Sequence, residues 1–476
     1  MSIVIYNTLT KNLELFEPLS KYIVKAYFCG PTVYDYTHLG HVRAYVAFDF
    51  IKRYLVLRGY DVFHVQNITD IDDKIIKKAQ EEGIPWNNIA ERYTKDYLEV
   101  LNTLNIKVNL HPTVTSHIKE IIEFVQLLID KGYAYVTPSG SVYFDLSTVE
   151  DYGKLSSRRT AEEWRQEEEF LAEKKNPYDF ALWKASKPGE PWWESPWGRG
   201  RPGWHTECAV MSSKYLGKQF DIHGGGQDLI FPHHENEIAM AEAAYGIKPW
   251  VKYWIHVGYL TIKGEKMSKS LGNVIYAKEA INKWGAETLR LWVFSAHYRK
   301  QIEFNEDVVN QFKELYRRLL MAMEILKKIL KSSTATFNLG EQELNLLRTL
   351  ELIEVQFHNA MSDDFNTPKA LEAINKLLTT IFRDIEPREN YALAFRAYSI
   401  LYNFNKVLGV LDKYFEERTP VDIEFVEKLI DLIIRVRSEL RKRRDYELSD
   451  KIREELLKLG IKVLDYKDGS KWVLER

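Results

Sequence analysis

Four residues in this chain have the chemistry of a divalent metal site: Cys29, Cys208, His233 and Glu237. Thiolate, imidazole and carboxylate are the donors that zinc takes, most often four at a time. The chain has only two cysteines, and both fall in this set. His233 and Glu237 form a His-x-x-x-Glu pair, which on a helix puts both side chains on one face, one turn apart. Pro232 suits the opening turn of that helix. His234 then points about 100° away from His233 and is expected to be a supporting partner or a pocket wall. The alternative for both cysteines is burial as small hydrophobes, the ordinary fate of a free thiol.

Two further groups of residues suit a polyphosphate. His38-Leu39-Gly40-His41 falls between a strand pattern and a helix pattern. Gly40 lacks a Cβ, so a flat base could pack against its backbone. Two histidines three apart at a helix start can both face a phosphate, helped by the positive end of the helix. Lys266-Met267-Ser268-Lys269-Ser270 is bounded by Gly264 and Gly272. Its lysines can clamp a polyphosphate and its serines can donate to it. Taken singly, the first match is short enough to arise by chance and the second reads equally as an exposed basic loop. Their occurrence together, in this order, points to ATP.

The elements that must hold these residues follow from periodicity. Tyr22 to Phe28 reads as a buried strand stopped at Gly30-Pro31. His41 to Leu57 has helical spacing (Val42, Tyr45, Phe48, Ile51, Leu55) and is closed by Gly59. Asp61 to Val65 is a second strand, and a helix begins near Lys74. Strand, helix, strand, helix is a parallel α/β unit, whose ligands belong at the carboxyl ends of its strands. From about Leu110 to Arg201 this rhythm breaks into a helix (Ile118–Lys131), short strands such as Ser141–Phe144, the charged run Glu162–Lys175 and the segment Pro188-Gly189-Glu190-Pro191-Trp192-Trp193. The α/β pattern resumes at Phe220–His223 and Trp254–Gly258. After Phe304 the chain is helical. It ends in Ile461–Leu464 and Lys471–Leu474, two strands around the hairpin signal Asp468-Gly469.

The bulk properties exclude several classes. With 45% hydrophobic and 28% charged residues the chain has the composition of a soluble globular protein. No apolar run approaches the roughly 20 residues that span a bilayer. No secretory pattern opens the sequence, and two cysteines make no disulfide framework, so a cytoplasmic location is expected. The net charge is −2, so binding a polyanion needs clustered positive charge. Arg435, Arg437, Arg441, Lys442, Arg443 and Arg444 supply a cluster, which reads alternatively as a solvated helix face.

HLGH resembles the HIGH motif, and KMSKS matches the second motif, of class I aminoacyl-tRNA synthetases. Gly203 to Cys208, Phe220 to Glu237, Phe28 to Asp35 and Asn67 to Asp73 closely resemble the cysteinyl-tRNA synthetase family. That resemblance covers nearly the whole chain. It implies a Rossmann-type parallel-sheet α/β catalytic domain split by an insertion, then an α-helical bundle and a small mixed α/β C-terminal domain. The expected boundaries are 1–109 and 202–260 for the catalytic halves, 110–201 for the insertion, 261–305 for the KMSKS-bearing linker, 306–420 for the helical bundle and 421–476 for the anticodon-binding end.

The resemblance also implies an activity and its residues. The expected reaction is activation of L-cysteine with ATP and transfer to tRNA(Cys). One Zn2+ per subunit, on Cys29, Cys208, His233 and Glu237, sits at the floor of the amino-acid pocket, and Mg2+ accompanies ATP. His38, His41, Lys266 and Lys269 are the expected catalytic residues. Gly40, Gly225 and Ser268 join them around ATP. Gly30, Thr32, Thr69, Trp204, His223 and Asp228 surround the cysteine. Asp228 has an alternative role as a turn former ahead of the helix. Met361 to Pro368 resembles the family's helical domain. Arg441, Arg443, Arg444, Asp450 and Trp472 are candidates for tRNA contact, with a structural role the alternative for Asp450 and Trp472. A monomer without membrane contact is expected.

The metal answers a selectivity problem. Size selection between cysteine and serine yields only about 1–3 kcal/mol. A thiol bound to zinc loses its proton near neutral pH and becomes a strong soft ligand, whereas a serine hydroxyl keeps its proton. No hydrolytic editing domain is then required. Two other readings are a relative that joins cysteine to an amino sugar, which lacks a tRNA-binding tail, and an inactive RNA-binding paralogue. The long segment after Phe304 argues against the first, and the intact motifs argue against the second.

Overall fold

The computed structural model describes residues 2–158, 163, 173–267, 272–332, 339–415, 423–443, 445–458, 461–466 and 469–474. Ser268 and Lys269 of the lysine loop, Arg444 of the basic tail and most of the charged run Glu162–Lys175 lie outside the described residues. The chain forms two compact units, Met1–Leu411 and Asp412–Arg476.

The first unit opens with an antiparallel hairpin of β1 (Val4–Asn7) and β2 (Asn12–Leu15). β3 (Ile23–Phe28) leads through α1 (Leu39–Leu57) to β4 (Asp61–Gln66), close to the expected bounds. α2 (Asp73–Glu82) is capped by the Asp72 carboxylate, which accepts from the Lys74 N–H, and α3 (Trp86–Thr103) and α4 (Ile118–Asp130) follow. The insertion contributes β5 (Ala134–Val136), β6 (Val142–Phe144), β7 (Phe180–Ala185) and β8 (Gly200–Pro202), a four-stranded antiparallel sheet. The chain then returns through α5 (Trp204–Leu216), β9 (Phe220–Gly226), α6 (Glu235–Tyr245) and β10 (Val251–Val257).

β3, β4, β9 and β10 form one parallel sheet in the order β10–β9–β3–β4. The chain runs outward from β3 to β4, then re-enters on the other side of β3 with β9. The crevice beyond β3 and β9 is therefore a topological switch point, where open α/β sheets place their ligands. Cys29 follows β3 there, and its N–H bonds the Gly224 carbonyl of β9 at 3.0 Å. α1 is buried on nearly all sides because it packs on the sheet and also on later helices. Its Asp49 carboxylate accepts from Arg290 at 2.7 Å and Arg53 at 2.7 Å.

β11 (Leu260–Ile262), β12 (Glu265–Lys266) and β13 (Ile302–Glu303) make a small sheet with β11 central. α7 (Ala277–Trp284) and α8 (Ala286–Val293) lie between β12 and β13 in the chain. The helical region is a bundle of α9 (Glu306–Lys331), α10 (Glu341–Ser362), α11 (Thr367–Thr380) and α12 (Tyr391–Leu408). Phe357 of α10 stacks on Phe404 of α12 with ring centres 4.0 Å apart.

The second unit holds α13 (Asp412–Phe415), α14 (Ile423–Lys442), α15 (Tyr446–Lys458) and an antiparallel hairpin, β14 (Ile461–Tyr466) with β15 (Gly469–Leu474). Ile430, Ile434, Leu456, Ile461 and Val463 form its core. The buried Arg437 guanidinium makes two bonds to the Asp465 carboxylate, at 2.7 and 2.9 Å, and Arg441 reaches the same carboxylate at 2.7 Å. Trp472 packs against this core and donates its indole N–H to Asp431 at 2.9 Å. Asp450 and Arg443 are exposed.

Candidate active site

A cavity of about 480 Å3 opens at the switch point. Cys29, Cys208 and His233 line it, and so do His38, His41 and Lys266. Residues far apart in sequence thus face one space.

The Cys29 and Cys208 sulfurs are 3.9 Å apart. Two thiolates on one tetrahedral ion, with bonds of about 2.3 Å, stand about 3.8 Å apart. His233 and Glu237 are one turn apart as expected, with Nε2 to Oε1 at 2.9 Å. The ligand atoms of all four lie within 4.8 Å of one another, and all four residues are buried. A second set, Cys29, His223, His234 and Glu237, also meets this spacing. Only the first set has three members on the cavity wall.

The electrostatics suit a cation. Burial alone would raise the Glu237 pKa, but His223 and His233 hold it down to about 2. Burial alone would lower that of His233, but the Glu237 charge raises it to about 10. Burial also works against the Cys208 thiolate, yet the Cys29 thiol and His233 bring Cys208 down to about 6. Cys29 is pushed well up by burial and by the neighbouring Cys208. Two buried sulfurs and a carboxylate thus repel one another, with one imidazolium between them. A divalent cation in place of that proton would stabilise the whole set.

On the same cavity, His38 caps α1. The His41 N–H donates to His38 Nδ1 at 3.3 Å and the His38 N–H donates to His41 Nδ1 at 3.3 Å. The rings stack 3.7 Å apart. Each Nδ1 is therefore an acceptor, which makes Nε2 the protonated nitrogen of a neutral ring. Gly40 sits where a Cβ would come within 3.1 Å of the His38 ring and 3.2 Å of Met267. The segment after the lysine loop crosses this helix start: Leu39 N–H bonds the Ile275 carbonyl at 2.9 Å and Ala277 N–H bonds that of Thr37 at 2.7 Å. Lys266 lies over the Tyr259 ring, with its Nζ 3.4 Å from Asp228.

A family model described as tRNA synthetases class I (C) catalytic domain matches residues 15–314, and a DALR domain model matches 356–412. A cysteine–tRNA ligase of Staphylothermus marinus is 56% identical over 470 residues, covering 98% of each chain. The chain belongs to the cysteinyl-tRNA synthetase family. The cysteine–tRNA ligase of Aeropyrum pernix is 52% identical, covering 98% of this chain and 99% of its own. Among solved structures, Mycobacterium tuberculosis methionyl-tRNA synthetase in complex with methionyl-adenylate matches with a TM-score of 0.59 at 17% identity, over 87% of this chain and 94% of its own. Agrobacterium radiobacter K84 agnB2 LeuRS, in a ternary complex with tRNA and LeuAMS, matches with a TM-score of 0.63 at 11% identity, over 84% and 85%. Those two likenesses establish the fold, that of a class I synthetase.

The other residues expected from the sequence divide by position. Gly30, Thr32, Thr69, Trp204 and Asp228 line the cavity, Asp228 beside Lys266. A Cβ on Gly30 would lie 1.7 Å from the Asn67 carbonyl oxygen, so only glycine fits that turn. Trp204 stacks on His233 with centres 4.2 Å apart. His223, expected beside the amino acid, is instead buried on β9 with Nε2 on Glu237 at 2.7 Å. Gly225, expected at ATP, faces Leu229 and His234, where a Cβ would meet them at 2.7 and 2.8 Å. The glycine run thus makes room for side chains beneath the sheet's end, and Gly226 is the member that lines the cavity.

His234 is expected from the sequence as a supporting partner or a pocket wall, whereas His256, Thr8 and the roles of Asn67 and Glu207 are not singled out by it. His234 Nε2 approaches the Cys29 sulfur at 3.2 Å, and its Nδ1 meets His256 Nε2 at 2.8 Å. His256 Nδ1 meets the Thr8 hydroxyl at 2.8 Å. Burial lowers the His256 pKa to about 3, so this row is neutral. Asn67 accepts from Gly30 N–H at 2.8 Å and donates to the Thr69 hydroxyl, which donates to Glu207.

Proposed function

We propose that this protein forms cysteinyl-adenylate from L-cysteine and ATP, releasing pyrophosphate, and transfers the cysteinyl group to the 3′ end of tRNA(Cys), with zinc selecting the substrate thiol. The observation that carries this reading is the single cavity shared by Cys29, Cys208 and His233 with His38, His41 and Lys266. Family membership supplies the reaction, and the donor set supplies the basis of selection.

In the first step a cysteine carboxylate oxygen attacks the α-phosphorus, and the bond to the pyrophosphate oxygen breaks. Little covalent help is needed, so the residues act by positioning and by charge. His38 and His41, with Nδ1 committed to the cap, would present Nε2–H to the α-phosphate oxygens. Lys266 and Lys269 would hold the outer phosphates, with Mg2+ on ATP. Asp228 would receive the substrate ammonium, and Thr69 and Trp204 would bound the pocket. Cys29, Cys208, His233 and Glu237 would hold the zinc, which supplies a Lewis acid that favours sulfur over oxygen. His223, through Glu237, would orient one of these ligands. In the second step a ribose hydroxyl of the terminal adenosine attacks the adenylate carbonyl and AMP leaves. We assign no general base to it.

The second unit is proposed to meet the anticodon end of the tRNA. Arg443 and Asp450 are exposed there. Arg441 is shared with Asp465, and the contacts of Trp472 favour its structural role over base stacking.

Pyrophosphate exchange dependent on cysteine, with metal content measured by mass spectrometry, tests the proposal. Exchange with cysteine, little with serine, and one zinc per chain is the expected result. Exchange that serine supports equally well, or a metal-free active protein, would overturn zinc selection.

A further inference from the structure

The bundle meets β1 and the turn before β13 at a point outside the cavity. Asp364 lies between α10 and α11 with φ of 52°, and Phe365 follows at 53°. Non-glycine residues rarely adopt this conformation, and it persists where the surroundings over-determine it. Asp364 is only 2% exposed. Its Oδ1 accepts from the Tyr298 hydroxyl at 2.7 Å and from Tyr6 N–H at 2.9 Å. Its Oδ2 accepts from Arg299 Nε at 2.6 Å, and its own N–H bonds the Val4 carbonyl.

Tyr298 and Arg299 belong to a turn, residues 296–300, that is gripped from several sides. Gly258 N–H bonds the Tyr298 carbonyl at 2.8 Å. Gln227 bonds that of Arg299 at 3.0 Å. Arg43, two residues beyond His41 on α1, spreads its guanidinium over the carbonyls of Val293, Ala296, His297 and Lys300. These bonds all go to backbone oxygens, and burial lowers the Arg43 pKa to about 9. A charge buried without a carboxylate is costly, so the carbonyl fan needs a reason. A Cβ on Gly258 would lie 2.3 Å from the Lys300 oxygen, so turn and strand end are in close contact. Val257, Gly258, Tyr259 and Leu260 line the cavity, and the strand after the turn pairs with β11, whose other neighbour carries Lys266.

We infer that Asp364 is a positioning residue for the ATP end of the cavity, acting through the 296–300 turn that Arg43 holds from the other side. The inference rests on reading that end as the ATP site. The bundle thereby sets the wall from Val257 to Leu260 and the seat of the Lys266 hairpin. Of the residues proposed around cysteine and its metal, Cys29, Cys208, His233, Thr69 and Trp204 make no bond to this turn described above, and Asp228 meets it only through its neighbour Gln227.

Pyrophosphate exchange on the full chain tests it by a split between substrates. Asp364→Ala is expected to raise KM for ATP at least about tenfold, or about 1.4 kcal/mol, and to leave KM for cysteine within about twofold. Asp364→Asn keeps the size and one acceptor but removes the charge facing Arg299. It is expected to raise KM for ATP about threefold, and it decides the matter if the alanine variant does not fold. Combined with Arg43→Lys its effect should be less than additive, because both act on one turn. A merely structural role would lower Tm in both variants and leave the ratio of the two KM values at the parent's. That ratio unchanged in a folded variant, or full additivity, overturns the inference. Calorimetric titration with ATP reads the same loss as a rise in Kd, so it decides the question even if the parent chain shows no cysteine-dependent exchange, a result that would instead refute the proposed function.

Discussion

At the floor of the cavity, Cys29, Cys208, His233 and Glu237 are 7%, 2%, 2% and 0% exposed. At its mouth, the Lys266 and Asp228 side chains leave 49% and 53% of their surface in solvent. The floor gathers two thiols, an imidazole and a carboxylate where the dielectric is low and each interaction strong. The mouth sets a lysine against an aspartate in high dielectric, where one such pair is worth little and a polyphosphate would compete for the lysine. Under the proposed function the floor would discriminate one atom of the substrate, whereas the mouth would gather charge. Variants at the two ends should differ in kind as well as in size.

The largest effect is expected at the floor. Cys208→Ser replaces a soft donor with an oxygen that keeps its proton. Zinc content should fall to a small fraction of one per chain, and the ratio of kcat/KM for cysteine over serine should fall at least about a hundredfold, or about 2.7 kcal/mol. Mass spectrometry and exchange with each amino acid measure the two losses. Selectivity retained without zinc would erase the contrast drawn between floor and mouth.

The histidines of α1 line the cavity together with Lys266. His41→Asn keeps an acceptor near the Nδ1 position and deletes the distal N–H. The helix cap should survive, while kcat for exchange falls about a hundredfold, the scale of one lost donor to a developing charge. His41→Gln places an N–H near the lost Nε2 and should recover part of the rate. Equal rates for the two variants would mean that the distal nitrogen does not meet the phosphate. Zinc content should stay at the parent value in both.

At the mouth, Lys266→Ala should lower exchange about tenfold and should do so mainly through KM for ATP. The cysteine-to-serine ratio should not move. A change in that ratio would show that the mouth also takes part in selection.

How much of this is legible without coordinates depends on residue scarcity and on pairing. Two cysteines in a long chain leave few choices for a thiolate pair, and the family resemblance adds His233 and Glu237 to them. A strand stopped at Gly30-Pro31 and a helix opened at His38 carry local signals that the fold keeps. His223 is harder. A histidine at the end of a strand has two faces to choose from, and the parallel register of Tyr27 against His223 sends it down to Glu237 rather than up to the substrate. Gly225 is misleading for a related reason. A glycine run suggests contact with a ligand, but here the missing Cβ makes space for His234. Asp364 falls in the stretch that resembles the family's helical domain, but neither it nor Arg43 reveals its partners in local sequence, because those lie mostly in the 296–300 turn and meet them only when the chain folds.

His256 completes the comparison from beneath. It stands on β10 opposite Gly225 and passes a hydrogen bond from Thr8 to His234, whose other nitrogen faces the Cys29 sulfur. Partners one bond from a metal ligand typically contribute ten- to a hundredfold to metal affinity. His256 is one link further back, so His256→Phe should weaken zinc retention by only about threefold, read by competition with a chelator. The phenyl ring keeps most of the volume, which limits the cavity term. Because His234 would then lose the partner that sets its tautomer, KM for cysteine should rise with the loss of zinc and KM for ATP should not. An equal rise in both would mean that the row of histidines braces the whole sheet end instead of the metal floor, and the division between the two ends of the cavity would have to be drawn higher, at Trp204 and Asp228.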